Sequence, residues 1–364
     1  MRILVLNAGS SSLKFHLFED EALLQRGEIE RVSNMSDALA AAFLQLGDSP
    51  VDAVGHRIVH GGDRLFESTI LTDDVIREIE SVSALAPLHN PVNLEAWRAA
   101  RARLPGVPHV AVFDTAFHHT LPPHAYVYGL PCEYLTEKRI RRYGFHGISH
   151  RYVSCRFAEL QDKASAGLRL IICHLGNGCS VSAVSGGHSI DTSMGLTPLE
   201  GLIMGTRTGD IDAGAVLHLI NNEKQDPAAL AKTFNYESGL RGLSGVSSDM
   251  RDILAAAAAG DARAHLAVDA FCYRVRKYIG AYLAALNGAD ALIFTAGIGE
   301  NSAEIRARIC DGLDQLGIAI DSEANQSPRR EDRQIGFSRT SVWVVATNEE
   351  LLIARDTRRC ILKS

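Results

Sequence analysis

The chain opens MRILVLNAGSSSLKF (1–15), an apolar run, a small polar turn, and a second run in which Leu13, Phe15 and Leu17 alternate with Lys14, His16 and Phe18. Alternation with a period of two predicts a strand after the turn, so the stretch reads strand–turn–strand. Converging backbone N–H groups and hydroxyls in such a turn can cradle an oxyanion, most often a phosphate. It is not the GxxxxGK[ST] loop, which joins a strand to a helix. Taken alone, the segment reads equally well as a serine-rich hairpin loop.

The same theme returns in mid-chain, where LIICHLGNGCSV (170–181) repeats apolar strand, Gly/Asn turn and alternating strand. One such hairpin at the start of each half predicts a duplicated architecture with a cleft between the halves. Further strands are expected at 51–59, 109–113 and 291–296, and helices near 36–46, 73–85, 92–104 and 262–286. Residues 297–301 read as a glycine turn opening a helix from about residue 302, another element that suits an anion or a nucleotide. The class is α/β with mixed sheets.

Bulk properties fit this reading. At 364 residues the chain is long enough for two domains, and 46% hydrophobic with 22% charged residues is ordinary for a globular protein. The net charge of −6, with no dense Lys/Arg run, argues against a nucleic-acid surface. No apolar stretch has membrane-spanning length, and the N-terminus enters a strand directly, without a signal peptide. The seven cysteines are scattered and form no CxxC pair, which predicts reduced thiols rather than disulfides or structural zinc.

Polar clusters fall at strand ends and in glycine-rich segments. HRIVHGG (56–62) sets Arg57 and Val59 on one strand face, and FDT (113–115) closes another strand with Asp114. FHGISH (145–150) and GTRTGD (205–210) read as loops rich in glycine and charge. Each has a bland alternative: a strand-end Asp caps a helix, and a loop Arg is solvated. His56/His60 and His146/His150 share the spacing of zinc-binding helices, but the glutamate of HExxH is missing. Gly147 and the strand around His56 also argue against helices there. Together, two arginines, three glycine turns, strand-end carboxylates and several histidines suit phosphoryl transfer. That reaction needs cationic groups on the migrating phosphoryl and Mg²⁺ held by carboxylates.

These residues resemble the acetate kinase family. The matching strings are NAGSSSLKF (7–15), HRIVHGG (56–62), APLHNP (86–91), FDTAFH (113–118), GFHGISH (144–150), HLGNG (174–178), MGTRTGDID (204–212), SSDMRD (247–252), TAGIGEN (295–301) and TNEELLIAR (347–355). They span nearly the whole chain in the family's order. The resemblance implies a duplicated actin-like (ribonuclease H-like) fold of two domains with mixed sheets and an interdomain ATP cleft. Residues 1–146, with a C-terminal helix 348–364 packing back on them, would form the acyl and phosphate domain; residues 147–347 would bind the nucleotide. The implied reaction is reversible: acetate and ATP give acetyl phosphate and ADP. It uses Mg²⁺, for which Mn²⁺ can substitute, in a cytoplasmic homodimer.

The same resemblance implies roles residue by residue. Asn7, Ser10, Ser12 and Lys14 would form the first phosphate-facing hairpin, and His174, Asn177 and Gly178 the second. Arg57 and Arg207 would hold the acetate carboxylate and the migrating phosphoryl, with His146 hydrogen-bonded to it in the transition state. Asn7, Asp114 and Glu349 would organise Mg²⁺, directly or through water; the bland alternative for Glu349 is a helix cap. Asp249, Arg251, Gly297, Ile298 and Asn301 would line the adenosine pocket. Val59, Leu88, Phe145 and Pro198 would wall the acetate methyl. The segment between Lys14 and Arg57 is shorter than the family's by a few tens of residues. Rival readings are a propionate or butyrate kinase, which Val59 disfavours, and an actin-like ATPase that transfers phosphoryl to no bound acid.

Overall fold

The computed structural model describes residues 1–9, 12–30, 32, 34–87, 89–328 and 331–363, and among these it contains two mixed sheets of six strands. Two compact units account for the chain: Met1–His119 with Phe145–Tyr152 and Asn348–Ser364, and Thr120–Gly144 with Val153–Thr347.

In the first unit the strands are β1 (Arg2–Ala8), β2 (Ser12–Glu19), β3 (Ala22–Glu30), β4 (Ala53–Ile58), β5 (Thr69–Ile70) and β6 (His109–Phe113), in the order β3-β2-β1-β4-β6-β5. The hairpin partners run antiparallel, β1, β4 and β6 run parallel, and β5 closes the edge antiparallel. The second unit repeats this with β7 (Arg169–Leu175), β8 (Cys179–Ser185), β9 (His188–Thr192), β10 (Ala291–Thr295), β11 (Arg333–Gly336) and β12 (Ser341–Val344). Their order, β9-β8-β7-β10-β12-β11, matches the first strand for strand. The duplication expected from two hairpins is therefore present in the sheets.

Burial explains why β1 reads as a continuous apolar run: both its faces are covered. Leu4 and Leu6 pack with Phe15, Leu39 of the helix Met35–Leu46, and Ala96 and Ala100 of the helix Asn90–Arg103. Ile3 and Val5 face the other way, against Val110, Val112, Ile148 and Leu352, Ile353 and Ala354 of the C-terminal helix Glu349–Lys363. In the second unit β10 is buried at every position, and the helix Ala262–Ala285 buries Val268, Phe271, Val275 and Ile279 at helical spacing.

Several local expectations are corrected. The strand β3 was not expected: it carries no buried residue, its Leu23 and Leu24 are exposed, and Arg26, Glu28 and Glu30 on it suit an edge. FHGISH is not a loop throughout, because a helix runs Gly147–Leu160. Glycine opens that helix because a side chain at Gly147 would collide with the Asp114 carbonyl. Residues 297–301 are not a turn but part of a short helix, Ala296–Asn301, followed by Ala303–Cys310. Expected helix 73–85 ends earlier, at Ser81, and finishes as a 3₁₀ turn over Ser83–Leu85.

Candidate active site

The first unit gathers its charge where its parallel strands end. From the next-to-last position of β4, Arg57 reaches both neighbouring strand ends: Nη1 donates to Asn7 Oδ1 at 3.3 Å and Nε to Asp114 Oδ1 at 3.2 Å, while Nη2 donates to Asp114 Oδ2. The fork-to-fork pairing fixes both planes. Asp114 is only 1% exposed and Arg57 18%. Burial works against the guanidinium charge, but Asp114, with Glu349 and Glu350, overrides it and raises the Arg57 pKa.

Glu349 is the first residue of the C-terminal helix, yet the helix is capped by its neighbour: Asn348 Oδ1 accepts from Leu351 N at 3.0 Å. Burial pushes the Glu349 carboxyl up to about 7, against the pull of Arg57, and Asp114 and Glu350 add to the rise. Glu350 in turn accepts from Asn7 Nδ2 at 3.2 Å. Arg57 thus faces Asp114, Glu349 and Glu350, a surplus of carboxylates that a divalent cation would offset. Carboxylate and amide oxygens are the donor set of a hard cation such as Mg²⁺. Among the described residues no group of three or more His, Cys, Asp or Glu is arranged to hold a metal.

Val59, two residues after Arg57, is 3% exposed, and Phe145, just before His146, is 1% exposed. The Phe145 carbonyl accepts from His118 Nε2 at 3.0 Å, which fixes the proton of that buried imidazole on Nε2. His146 follows with φ +56°, a conformation costing a residue with a Cβ about 1–2 kcal/mol. It is held there because Gly147 N donates to the Asp114 carbonyl at 2.9 Å. One residue therefore orients Arg57 with its side chain and the His146 segment with its backbone. Lys14 sits opposite Asn7 in the hairpin, its ammonium 3.9 Å from Glu28 on β3. The Ser12 carbonyl closes the turn by accepting from Gly9 N at 2.8 Å. Ser10 and Leu88 lie outside the described residues.

The second unit offers space instead. A cavity of about 690 Å³ is lined by Asn177, Asp249, Arg251, Gly297, Ile298 and Asn301, and also by Ser248, Met250 and Leu254. The last three were missed: Met250 and Leu254 are an i, i+4 apolar pair that reads as ordinary helix core. Asp249 caps the helix Met250–Ala258, accepting from Arg251 N at 2.9 Å, and its hydrogen bonds from the Arg251 side chain hold its pKa down to about 2. Ala296, at φ +64°, turns the chain out of β10, and Glu300 Oε1 secures the turn by accepting from Ala296 N at 2.8 Å and Thr347 N at 3.1 Å. His174, at the end of β7, and Gly178, whose carbonyl accepts from Gly176 N at 3.1 Å, flank the cavity in sequence without lining it.

The structure brings Arg207 and Pro198 together: Arg207 Nη1 donates to the Pro198 carbonyl at 3.4 Å. The Arg207 loop is gripped by the backbone, with Leu240 N on the Met204 carbonyl at 2.8 Å and Ser238 N on that of Thr206 at 3.0 Å. Gly239, at φ +60°, permits this approach, since a side chain there would collide with the Met204 carbonyl. Gly205 N donates to the Asn177 carbonyl at 2.9 Å, tying the loop to the hairpin turn.

Comparison with known proteins bears on what this arrangement does. The model of the acetokinase family matches residues 25–355. An acetate kinase of Halothermothrix orenii is 48% identical over an alignment of 396 residues, covering 99% of this chain and 100% of the relative. The relative therefore carries residues with no counterpart among the 364 here. The crystal structure of Porphyromonas gingivalis acetate kinase superposes with a TM-score of 0.92 at 40% identity, covering 99% of each chain. A propionate kinase from Francisella tularensis gives 0.91 at 39% identity, covering 98% of this chain and 99% of that one.

Proposed function

This chain belongs to the acetokinase family, and we propose that its reaction is reversible phosphoryl transfer between ATP and acetate, giving acetyl phosphate and ADP. The observation that carries the reading is the Asn7–Arg57–Asp114 constellation at the strand ends, with Glu349 beside it.

The chemistry asks little of acid–base catalysis. Acetate is ionised near neutrality, so its oxygen attacks the γ-phosphorus as the bond to the ADP oxygen breaks, and no proton is gained or lost. What opposes the step is repulsion between two anions. Arg57 would offset that charge and align the carboxylate, and Arg207 would do the same for the migrating phosphoryl. His146 hydrogen-bonds the phosphoryl as its charge spreads. Asn7, Asp114 and Glu349 would hold Mg²⁺, which supplies positive charge to the phosphate oxygens. Ser12, Lys14, His174, Asn177 and Gly178 face the phosphates, and the 690 Å³ cavity takes the adenosine. Val59, Phe145 and Pro198 bound the methyl, which favours acetate over longer acids.

A homodimer is also proposed. The helix Ala213–Asn221, AGAVLHLIN, is largely apolar yet buries none of its residues, and Leu217 on it is 57% exposed. A second copy of the chain covering this helix would resolve that exposure. No described helix is long and apolar enough to cross a membrane; use of ATP supports a cytoplasmic setting.

The direct test traps the product. Acetate, ATP and Mg²⁺ with hydroxylamine should yield acetyl hydroxamate, a chelator should abolish it, and Mn²⁺ should restore it. ATP hydrolysis without hydroxamate would place the chain among non-transferring ATPases.

A further inference from the structure

Two asparagines, Asn90 and Asn93, lie in the first turn of the helix Asn90–Arg103, at 0% and 2% exposure. Three residues apart, they share one helix face. A carboxamide so deeply buried needs partners, and both side chains spend theirs on the backbone of the strand ends. The parallel ladder between β1 and β4 stops at Leu6–His56. Beyond it, Asn93 stands between the two chains: Nδ2 donates to the Ala8 carbonyl at 2.8 Å and Oδ1 accepts from Val59 N at 3.1 Å. Asn90 grips the next residue on both sides, accepting from His60 N at 3.0 Å and donating to its carbonyl at 2.9 Å.

The bridge is chemically specific. Ala8 presents an acceptor and Val59 a donor, and a primary amide carries one of each in a rigid plane. Aspartate in its place would turn a negative oxygen on the Ala8 carbonyl. Ala8 follows Asn7, Val59 stands two residues after Arg57, and the Asn7 and Arg57 side chains are themselves bonded at 3.3 Å. The side-chain contact and the Asn93 bridge therefore close a ring that fixes the separation of the two strand ends.

We propose that Asn93, supported by Asn90, is a positioning residue that sets where Val59 stands relative to Asn7 and Arg57, and so how the acid substrate is seated and selected. This rests on the reading of Val59 as the wall of the acid site. Misplacement of a substrate-facing group by about 1 Å is enough to cost up to about a hundred-fold in rate.

The test compares Asn93→Asp, Asn93→Ser and Asn90→Asp with Val59→Ala in the full chain, using acetate, propionate and ATP. The Asn93 variants should raise KM for acetate about ten-fold and lower the acetate-to-propionate ratio of kcat/KM, with KM for ATP held within about two-fold. Asn90→Asp should act in the same direction more weakly. A role confined to stability would lower the thermal midpoint and leave both acid readouts unmoved; with Val59→Ala still shifting the ratio, that result overturns the positioning role alone. If Val59→Ala also leaves the ratio unchanged, the acid-wall reading fails and takes this inference with it. Should no Asn93 variant fold, hydrogen exchange of the unaltered protein decides: the Val59 amide should exchange as slowly as those inside β4, and exchange at the rate of an open loop overturns the bridge.

Discussion

Where β1, β4 and β6 end, the first unit places Asn7, Arg57 and Asp114, bonded to one another; around the ends of β7, β10 and β12 the second has His174, Thr295 and Val345, with no arginine or carboxylate among them. The sheets share one strand order, so the difference is not one of fold. After its strand ends the second unit has glycines and a short helix around a 690 Å³ cavity. The first fills its strand ends with paired side chains. The same scaffold thus serves charge handling in one copy and room for a ligand in the other. Ligands of open α/β sheets collect at the carboxyl ends of parallel strands, so these few residues decide what each copy can do.

The comparison breaks most sharply at the arginines. If the first unit's charge cluster acts on the phosphoryl step, Arg57→Ala should lower kcat by roughly two to three orders of magnitude, and Arg207→Ala likewise. Arg57→Lys should recover little, because an ammonium cannot span Asn7 and both oxygens of Asp114. The thermal midpoint of each variant separates this from unfolding, since Asp114 loses its partner in Arg57→Ala. A kcat within a few-fold of the parent removes that arginine from the mechanism.

Acid should sharpen the contrast between the units. The first buries His56, His60, His109, His118 and His150, the second His174. His56 Nε2 and His109 Nδ1 lie 2.8 Å apart, a pair that needs one ring to donate and the other to accept. Burial holds His56 well below the usual histidine range, lowers His109, and brings His60 down to about 4. With the folded pKa below the unfolded value, the unfolded chain takes up the proton first, so these histidines lower stability as pH drops from about 6.5 to about 4; Glu349, whose raised pKa makes its protonation stabilising below about 7, offsets part of that loss. His60 alone contributes a loss of about 3 kcal/mol by that point. The two tryptophans report the units separately, Trp97 in the first and Trp343 in the second. In Trp97→Phe and Trp343→Phe variants, the first unit's signal should unfold at the higher pH. Coincident acid transitions would sink the contrast.

A smaller effect is expected in the cavity. A Cβ at Gly297 meets nothing within 4 Å, so Gly297→Val takes up the ligand's space rather than the core's. KM for ATP should rise about ten-fold while KM for acetate stays within about two-fold and the fold is unaffected. An unchanged KM for ATP would mean that the nucleoside does not occupy this cavity.

How much of this the sequence disclosed depends on the kind of signal. The two hairpins and the parallel strands were legible because two-sided burial leaves continuous apolar runs, as in β1 and β10. The edge strand β3 was not, since nothing on it is buried. The helix after His146 was hidden because glycine disfavours a helix interior, whereas here its missing Cβ allows close approach to the Asp114 carbonyl. Arg57 and Asp114 stood out as charges at strand ends, whereas Glu349 was found through a string that matches a family. Asn93 lies just past the string APLHNP, and no local pattern announces a carboxamide whose partners are 34 and 85 residues away. Contacts of that range exist only once the sheet has formed.

The last prediction concerns the wall between charge and methyl. Val59 stands two residues beyond Arg57, buried to 3% exposure, so the group that holds the carboxylate neighbours the one that bounds the acid's far end. Propionate adds one methylene to what that space must take. Burying a methylene contributes about 0.8 kcal/mol where room exists, while overpacking a filled pocket costs about 1–3 kcal/mol. The steric cost should prevail, giving acetate a kcat/KM roughly ten- to a hundred-fold above propionate. Val59→Ala removes two methyl groups from the wall, so propionate should gain by a few-fold and acetate should lose slightly, since its methyl then faces a partly empty space. Butyrate should gain less than propionate, because the freed volume accommodates about one methylene. kcat/KM for the three acids in both proteins checks this, with the ATP parameters as control. If the ratios stay fixed while Arg57→Ala abolishes turnover, the carboxylate is held where the charge cluster indicates, but its methyl points away from Val59.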